Sequence, residues 1–290
     1  MVVAMLSNQV GNSFAKRLTD AMATPLGAVF MRLAFAGAIL LLIALVRFVL
    51  RRLGLLASTK SEVPPWQKPR EAWLYAIAFG MVLVAMNSLF YEALERLPVG
   101  IVITIEFLGP LAVALLGSRR AIDFVWVGLA GIGVALLGIT PTPLPLAGVL
   151  FAGGAAVCWA GYILLGARVT RHWTGGGVLT GACVAGSLVM TPAFLMGGNV
   201  GRLSWPTIGL AAVVALTCSV LPYSMELFAL RRISTRLFGI LESLAPAIGA
   251  LAAWLVLSQR LHFGDWIAIA CVVVASIGAT LARSRRQSVH

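Results

Sequence analysis

The chain has 290 residues, of which 60% are hydrophobic and only 11% are charged, and its formal net charge is +12. Soluble proteins are about 45–50% apolar and about 25% charged, so these charges are too few to cover a soluble domain of this length. A basic chain can bind nucleic acid, but here the cations lie between apolar stretches, where membrane topology accounts for them. We therefore expect an all-α integral membrane protein with the lipid bilayer as its surroundings and no nucleic-acid partner.

Ten apolar stretches are predicted to be membrane-spanning helices, each of which needs roughly 20 residues. Turn-forming segments such as Pro64-Pro65 and Gly197-Gly198 separate them. The first stretch is short and polar, as expected for the second half of a longer, truncated helix. The predicted spans are 2–18, 25–46, 73–91, 99–117, 124–140, 146–166, 178–197, 206–229, 236–257 and 264–282.

The Lys and Arg residues are distributed unequally between the two sides of this predicted membrane protein. Sixteen of the 22 lie in the loops after spans 2, 4, 6 and 8 and in the C-terminal tail, whereas five lie on the opposite side. The remaining one, Arg32, lies inside span 2. Because cytoplasmic loops are enriched in Lys and Arg, both termini are predicted to be cytoplasmic.

A repeat divides the chain into two halves. Span 4 contains Glu106-Phe107-Leu108-Gly109-Pro110 and span 9 contains Glu242-Ser243-Leu244-Ala245-Pro246, 136 residues later. Weaker matches follow in the same order at an offset of 140: Ser118 with Ser258, Trp126 with Trp266, and Gly138 with Gly278. Residues 1–143 and 144–290 are thus predicted to be two five-helix repeats. Since five is odd, the second repeat is inverted, as in many secondary transporters that work by alternating access; duplication for stability alone is the alternative.

Several segments resemble the threonine/homoserine exporter branch of the EamA family, in the drug/metabolite transporter superfamily. They are Arg96-Leu97-Pro98-Val99-Gly100, Glu106 to Leu115, Ser118-Arg119-Arg120, Asp123 to Trp126, Cys158-Trp159-Ala160, Leu221-Pro222-Tyr223-Ser224 and Thr235-Arg236. The resemblance implies a ten-helix fold, placement in the bacterial inner membrane, and export of small amino acids or related metabolites. The chain departs from that branch at Ala245 and Gln259, where the branch has acidic residues.

Ionisable residues inside spans are the first candidates for a substrate site, because they are rare in membranes and usually functional. Arg32 and Glu106 lie at equal predicted depth, roughly 12 Å from the same side. They can form a permanent ion pair, or bind the carboxylate and the ammonium of an amino acid. Glu242 is the counterpart of Glu106 in the second repeat. Glu106 and Glu242 are therefore the predicted proton-coupling groups, the alternative being carboxyl groups that bond to a neighbouring helix.

Polar and aromatic residues in other spans complete the predicted substrate site. The candidates are Asn87, Tyr91, Trp159, Tyr162 and Tyr223, with helix packing or interface anchoring as the alternative for each. Kinks are predicted at Pro110, Pro222 and Pro246; Pro110 and Pro246 also free the carbonyls of Glu106 and Glu242, four residues earlier. Glu226 is predicted to form a structural ion pair with Arg231 or Arg232.

Other functional classes find less support in the sequence. There is no HExxH or GxxxxGK[ST] motif, and the three histidines, His172, His262 and His290, lie in loops or the tail. The four cysteines have no metal-ligand spacing and are predicted to be buried inert thiols. We expect a secondary carrier, not an enzyme, without metal or other cofactor. A different metabolite or drug as substrate, a membrane enzyme, a channel and a homodimeric assembly remain alternatives.

Overall fold

A computed structural model describes residues 2–55, 67–115, 144–173 and 176–232, together with short helical pieces between 125 and 132 and between 263 and 275. All regular structure in these residues is helical. Most of the predicted spans 124–140 and 264–282, and all of 236–257 with Glu242 and Pro246, lie outside the described residues.

Within the described residues, nine α-helices correspond to seven of the ten predicted spans. They are α1 (Val2–Ala21), α2 (Pro25–Arg52), α3 (Arg70–Arg96), α4 (Val99–Glu106), α5 (Leu108–Leu115), α6 (Leu146–His172), α7 (Gly177–Met196), α8 (Trp205–Ala215) and α9 (Leu221–Leu230). A 3₁₀ turn occupies Asn199–Arg202, and a π-helical segment, Leu216–Val220, joins α8 to α9.

Five of the described helical segments are long and apolar enough to cross a membrane. They are Pro25–Arg52, Arg70–Arg96, Leu146–His172, Gly177–Met196 and the continuous Trp205–Leu230. Val99–Val113 is a shorter apolar segment. Predicted and observed ends differ by up to six residues, mainly because α2, α3 and α6 continue as helices beyond the apolar stretch.

Local sequence explains where several helices begin. The Thr24 side chain accepts a hydrogen bond from the Gly27 amide at 3.2 Å, and Pro25 follows it at the first helical position. Ser204 caps α8 through a reciprocal capping box with Thr207, and Pro206 again lies in the first turn. A proline costs nothing here because first-turn amides have no partner within the helix.

The helices pack in three main pairs: α3 against α6, α2 against α7, and α1 against the segment from α8 to α9. Small residues allow close approach, as is usual between membrane helices. At Gly109 in α5, an added Cβ would lie 2.2 Å from the backbone carbonyl oxygen of Ala156 in α6. This crossing fixes α5, and with it the end of α4, against α6.

Asn199 links the α1–α2 turn to the end of α7. Its side-chain oxygen accepts hydrogen bonds from the amides of Ala23 and Thr24 at 3.0 and 3.1 Å, and its nitrogen donates to the Thr24 hydroxyl and the Phe194 carbonyl. Asn199 is fully buried, so its amide is satisfied without water.

The two ends of the helical bundle differ in how their cations are partnered. At one end Lys16 pairs with Asp20 at 2.9 Å, and Arg96 pairs with Glu92 and Glu95 at 2.6 and 3.1 Å. At the other, which we term the basic end, described cations rest on aromatic rings and carbonyl oxygens: Lys68, Arg168, Arg231 and Arg232. None of these four forms an ion pair with a described carboxylate.

Candidate functional site

A small polar cavity lies among α1, α2, α3, α4, α6 and α9. Its volume is about 30 Å³, enough for about two water molecules when a single water needs 10–15 Å³. The lining residues are Asn8, Gln9, Asn12, Arg32, Met86, Asn87, Phe90, Ile103, Glu106, Trp159, Tyr223 and Glu226. Among the described residues, one cation, two carboxyl groups and several amides thus meet inside a bundle whose other core residues are mostly apolar.

Arg32 is buried, and its guanidinium is bound by neutral acceptors. Its Nε donates to the Ser219 hydroxyl at 2.8 Å, and one terminal nitrogen donates to the Cys218 carbonyl and, at 3.0 Å, to the Tyr223 hydroxyl. It forms no ion pair with Glu106 or with any other described carboxylate within 4.0 Å. The permanent Arg32–Glu106 pair considered from the sequence is therefore not present in this conformation.

The Cys218 carbonyl is available to Arg32 because of Pro222. In an α-helix the carbonyl of residue 218 would accept from the amide of residue 222, but proline has no N–H. The irregularity is absorbed by the π-helical segment Leu216–Val220 immediately before α9. Such π-bulges are frequent at functional sites. Pro222 thus frees the Cys218 carbonyl, as Pro110 and Pro246 are predicted to free the carbonyls of Glu106 and Glu242.

Tyr223 and Asn87 extend this network across the cavity. The Asn87 amide donates to the Leu83 carbonyl at 2.7 Å and, more weakly, to the Tyr223 hydroxyl at 3.4 Å. The Arg32 guanidinium carbon lies 5.8 Å from the Tyr91 ring and 5.6 Å from the Tyr223 ring. The buried Tyr91 hydroxyl has no hydrogen-bond partner among the described residues. Two aromatic faces and one uncommitted hydroxyl therefore flank the cation.

Glu106 lies at the end of α4, where the span is interrupted. The helix breaks at Phe107, between Glu106 and Pro110, and resumes as α5. The Glu106 side chain is buried and makes no hydrogen bond or ion pair with described residues. A buried carboxyl group without a partner is costly, so this side chain is suited to a ligand that brings its own positive charge or a proton.

Glu226 differs from the expectation drawn from its neighbours in sequence. It does not pair with Arg231 or Arg232; instead it is buried, lines the cavity and accepts a hydrogen bond from the Tyr162 hydroxyl at 3.0 Å. The prediction of a structural ion pair is wrong because the Glu226 side chain is directed towards α6, where it accepts from Tyr162. Glu226 is thus a second described carboxyl group in the cavity.

The aromatic candidates divide into lining and supporting residues. Trp159 lines the cavity, with its ring centroid 6.0 Å from that of Phe107 in an edge-on arrangement. Tyr162 does not line it, but lies 5.5 Å from the Tyr223 ring and holds Glu226. Tyr91 likewise lies behind the cavity wall, against Arg32. Arg32, Asn87, Glu106, Trp159 and Tyr223 therefore meet at one cavity, with Tyr91 and Tyr162 supporting them.

The amides of α1 line the cavity although they are not among the predicted site residues. Asn8, Gln9 and Asn12 face the cavity, and Asn12 donates to Gln9 at 3.3 Å. The spacing of residues 8 and 12, one helical turn apart, places both on one face. Polar side chains inside membranes normally face the protein interior. Three amides on one face of a span therefore predict that this face lines a polar cavity.

The cavity combines the groups that a zwitterion requires: a buried cation and buried carboxyl groups. No group of three or more His, Cys, Asp or Glu side chains that could hold a metal is found among the described residues. A buried guanidinium can bind a carboxylate, and a buried carboxyl group such as that of Glu106, which has no partner among the described residues, can bind an ammonium. The all-helical membrane fold and this cavity define the class of a small-molecule transporter.

Comparison with known proteins identifies the family. Residues 146–281 match the EamA-like transporter family. The threonine/homoserine exporter RhtA of Escherichia coli (strain K12) is 36% identical over 97% of this chain and 90% of its own length. The RhtA protein of Salmonella typhimurium (strain SL1344) is 34% identical over 100% of this chain and 92% of its own length. This chain belongs to the EamA-like transporter family.

A solved crystal structure supports the fold independently. It aligns with 96% of this chain and 96% of its own chain, with a TM-score of 0.64 and 22% sequence identity. At this level of identity the likeness concerns the fold alone. The family match and the two relatives make the protein an α-helical membrane transporter, as the sequence predicted.

Proposed function

We propose that this protein exports threonine, homoserine or amino acids of similar size from the cell by alternating access. The observation that carries the proposal is the full-length similarity to two threonine/homoserine exporters. The cavity adds a chemical reason: Arg32 is held by neutral groups and Glu106 has no partner among the described residues, so both groups can bind a zwitterion. Arg32 would bind the substrate carboxylate, and Glu106 with Glu226 the ammonium.

The α1 amides would then bind the substrate hydroxyl. Threonine and homoserine both carry a hydroxyl on a short side chain, and Asn8, Gln9 and Asn12 offer donors and acceptors on the remaining side of the cavity. A site that hydrogen-bonds a hydroxyl discriminates strongly against analogues that lack it. Valine has nearly the shape of threonine without the hydroxyl, so we expect it to compete poorly.

Counterflow in proteoliposomes tests both statements. Vesicles loaded with unlabelled threonine should accumulate labelled threonine, which distinguishes a carrier from a channel, and valine should inhibit at least about tenfold less than homoserine. Asn12→Leu should narrow that difference, while Ser7→Ala serves as a control, since Ser7 bonds to the Thr217 carbonyl and does not line the cavity. Absence of threonine counterflow would refute the substrate, and another metabolite or a drug would then be screened on the same vesicles.

Alternating access would use two inverted five-helix halves, residues 1–143 and 144–290. The helix pairing supports this: α3 with α6 and α1 with the α8–α9 segment are spans 3·6 and 1·8, which exchange under a shift of five spans. The α2–α7 pair, spans 2·7, maps onto itself. Proton coupling would involve Glu106 and Glu226, together with Glu242 by its place in the repeat.

The proposed orientation has the basic end, and both termini, in the cytoplasm of a bacterial cell. Cytoplasmic ends of membrane proteins carry the excess of Lys and Arg, and Lys68, Arg168, Arg231 and Arg232 of the basic end lack described carboxylate partners, unlike Lys16 and Arg96 at the opposite end. Green fluorescent protein fused to the C-terminus should fluoresce, since it folds in the cytoplasm. An alkaline phosphatase fusion that is active at the same position would reverse the orientation.

A further inference from the structure

A second concavity lies outside the cavity, on the flank of the bundle between α3 and α7. We term it the lateral groove; its walls are formed by Ile77, Met81 and Val84 of α3 and by Gly181, Ala185 and Val189 of α7. Its volume is about 780 Å³, within the range of roughly 300–1,000 Å³ that is usual for small-molecule sites. The lining is almost wholly apolar, so its occupant must be a hydrocarbon.

The length of the lateral groove matches one leaflet of a membrane. It extends along α3 from Trp73 to Ser88, and fifteen residues of helix rise about 22 Å. One leaflet measures about 20–22 Å with its headgroups, of which about 15 Å is hydrocarbon. A lipid acyl chain that enters at the Trp73 end would therefore lie in the groove over its whole depth in that leaflet.

The Trp73 end of the lateral groove carries positive charge. Trp173 closes this end and packs edge-on against Trp73 at 5.0 Å. Lys68 lies over the Trp173 ring at 4.5 Å and donates to the His172 carbonyl at 2.6 Å, and Arg231 donates to the Trp173 carbonyl at 2.7 Å. Tryptophan and Lys or Arg side chains at such a place mark the level of lipid headgroups.

These two cations have donors to spare. Each makes one hydrogen bond to a carbonyl, although lysine offers three donors and arginine five. Neither forms an ion pair within 4.0 Å with a carboxylate of the described residues, including Glu71, the acidic residue at the start of α3. An anion can therefore bind without displacing a pair between described residues.

We infer that the lateral groove is a binding site for one anionic phospholipid, whose acyl chain fills the groove and whose phosphate lies against Lys68 and Arg231. Two features select this lipid. One is the apolar groove, which is as long as a leaflet, and the other is the pair of cations at the headgroup level. A zwitterionic lipid offers the same chain but also a positive group, which the cations would repel. This inference does not rest on the identity of the transported substrate.

Thermal unfolding of the purified protein in detergent tests the site with phosphatidylglycerol, phosphatidylcholine and inorganic phosphate as added probes. Binding to the folded state alone raises the unfolding midpoint. We expect phosphatidylglycerol to raise it by several degrees, and the other two to raise it little. An equal rise with phosphatidylcholine would overturn the selection by charge, and an equal rise with phosphate alone would overturn the role of the chain.

Two kinds of variant separate the headgroup contact from the groove. Lys68→Gln with Arg231→Gln should remove the preference for phosphatidylglycerol, whereas Arg51→Gln, in the last turn of α2, should preserve it. Gly181→Leu should block the acyl chain with the cations intact, since a Cβ at Gly181 meets nothing within 4 Å. Gly153→Leu on α6, equally unobstructed and outside the groove, is its control.

Two outcomes would refute the inference. An undiminished response to phosphatidylglycerol in Gly181→Leu would place the lipid elsewhere. A dimer in light scattering that Gly181→Leu converts to a monomer would make the lateral groove an interface between copies of this chain.

Discussion

At the scale of single residues, the main feature is that the buried charges of the cavity are not paired with each other. Arg32 is bound by a hydroxyl, a carbonyl and a phenol, while Glu106 has no described partner. Removing an ion from water costs several kcal/mol unless opposite charge compensates it. The protein therefore holds its cation and its carboxyl groups in a state that a zwitterion can complete.

Arg32→Lys should reduce threonine transport by at least about tenfold. Lysine keeps the positive charge but lacks the planar fork that reaches Ser219, Cys218 and Tyr223 together. Initial rates of counterflow measure the effect. Arg202→Lys, an exposed arginine of the 3₁₀ turn, is the control, and a wild-type rate in Arg32→Lys would show that charge alone suffices.

Glu106→Gln or Glu226→Gln should uncouple transport from a pH gradient. Glutamine keeps the shape and hydrogen bonding of a protonated carboxyl group but cannot release a proton. In wild-type vesicles, acidifying the compartment that receives the substrate should accelerate efflux, and this acceleration should disappear in at least one variant. Glu95→Gln at the exposed end of α3 should retain it. Unchanged acceleration in both cavity variants would exclude these residues as proton carriers.

At the scale of helices, two proline-dependent interruptions shape the site. Pro110 lies four residues after Glu106 and Pro222 four residues after Cys218, so each removes the amide that would bond to the earlier carbonyl. In the first case the span breaks at Phe107, and in the second it passes through a π-helical segment. Both irregular segments border the same cavity, through Glu106 and through the Arg32 contacts.

Pro222→Ala should weaken transport through its effect on Arg32. An amide at position 222 can donate to the Cys218 carbonyl. It would then compete with the Arg32 guanidinium, from which that carbonyl accepts a hydrogen bond in the wild-type protein. We expect a higher half-saturation constant for threonine with little loss of protein stability. Pro206→Ala, in the first turn of α8 where no helical bond is missing, should change neither quantity. Equal kinetics in the two variants would contradict the role given to Pro222.

Gly109→Ala should destabilise the crossing of α5 with α6 by about 1–3 kcal/mol, the usual cost of overpacking. The added Cβ would meet the Ala156 carbonyl oxygen at 2.2 Å, and backbone cannot move aside as a flexible side chain can. The unfolding midpoint in detergent measures the effect. Gly153→Ala in α6 meets nothing within 4 Å and should be neutral or slightly stabilising. A midpoint unchanged by Gly109→Ala would mean that α5 shifts freely.

At the scale of the whole molecule, hydropathy and turn residues were enough to predict the described spans. A single segment that crosses a membrane satisfies all its backbone hydrogen bonds within itself only as a helix. A long apolar stretch therefore predicts a helix. The sequence also pointed to Arg32, Glu106, Asn87, Trp159 and Tyr223, which meet at one cavity. The signal was the same for each: a polar or aromatic side chain inside an apolar span.

Pairings across the molecule could not be predicted in the same way. Glu226 lies within six residues of two arginines, yet the direction of its side chain towards Tyr162 decides its role. Sequence spacing does not predict the direction of the Glu226 side chain, because the π-helical segment Leu216–Val220 changes the rotation of the helix just before α9. The acceptors of Arg32, almost 190 residues away in the chain, depend on the packing of α2 against the α8–α9 segment.

The composition of the cavity, one cation and two carboxyl groups among the described residues, also has an electrical consequence. With both carboxyl groups ionised, Arg32, Glu106 and Glu226 together carry one negative charge, and a bound zwitterion leaves this unchanged. A potential that is negative inside then drives the loaded site outwards, by about 2.3 kcal/mol per 100 mV for a full crossing. The protonated, neutral site returns without opposition. A potassium diffusion potential of this sign should therefore accelerate threonine efflux, and Glu106→Gln should make efflux indifferent to voltage.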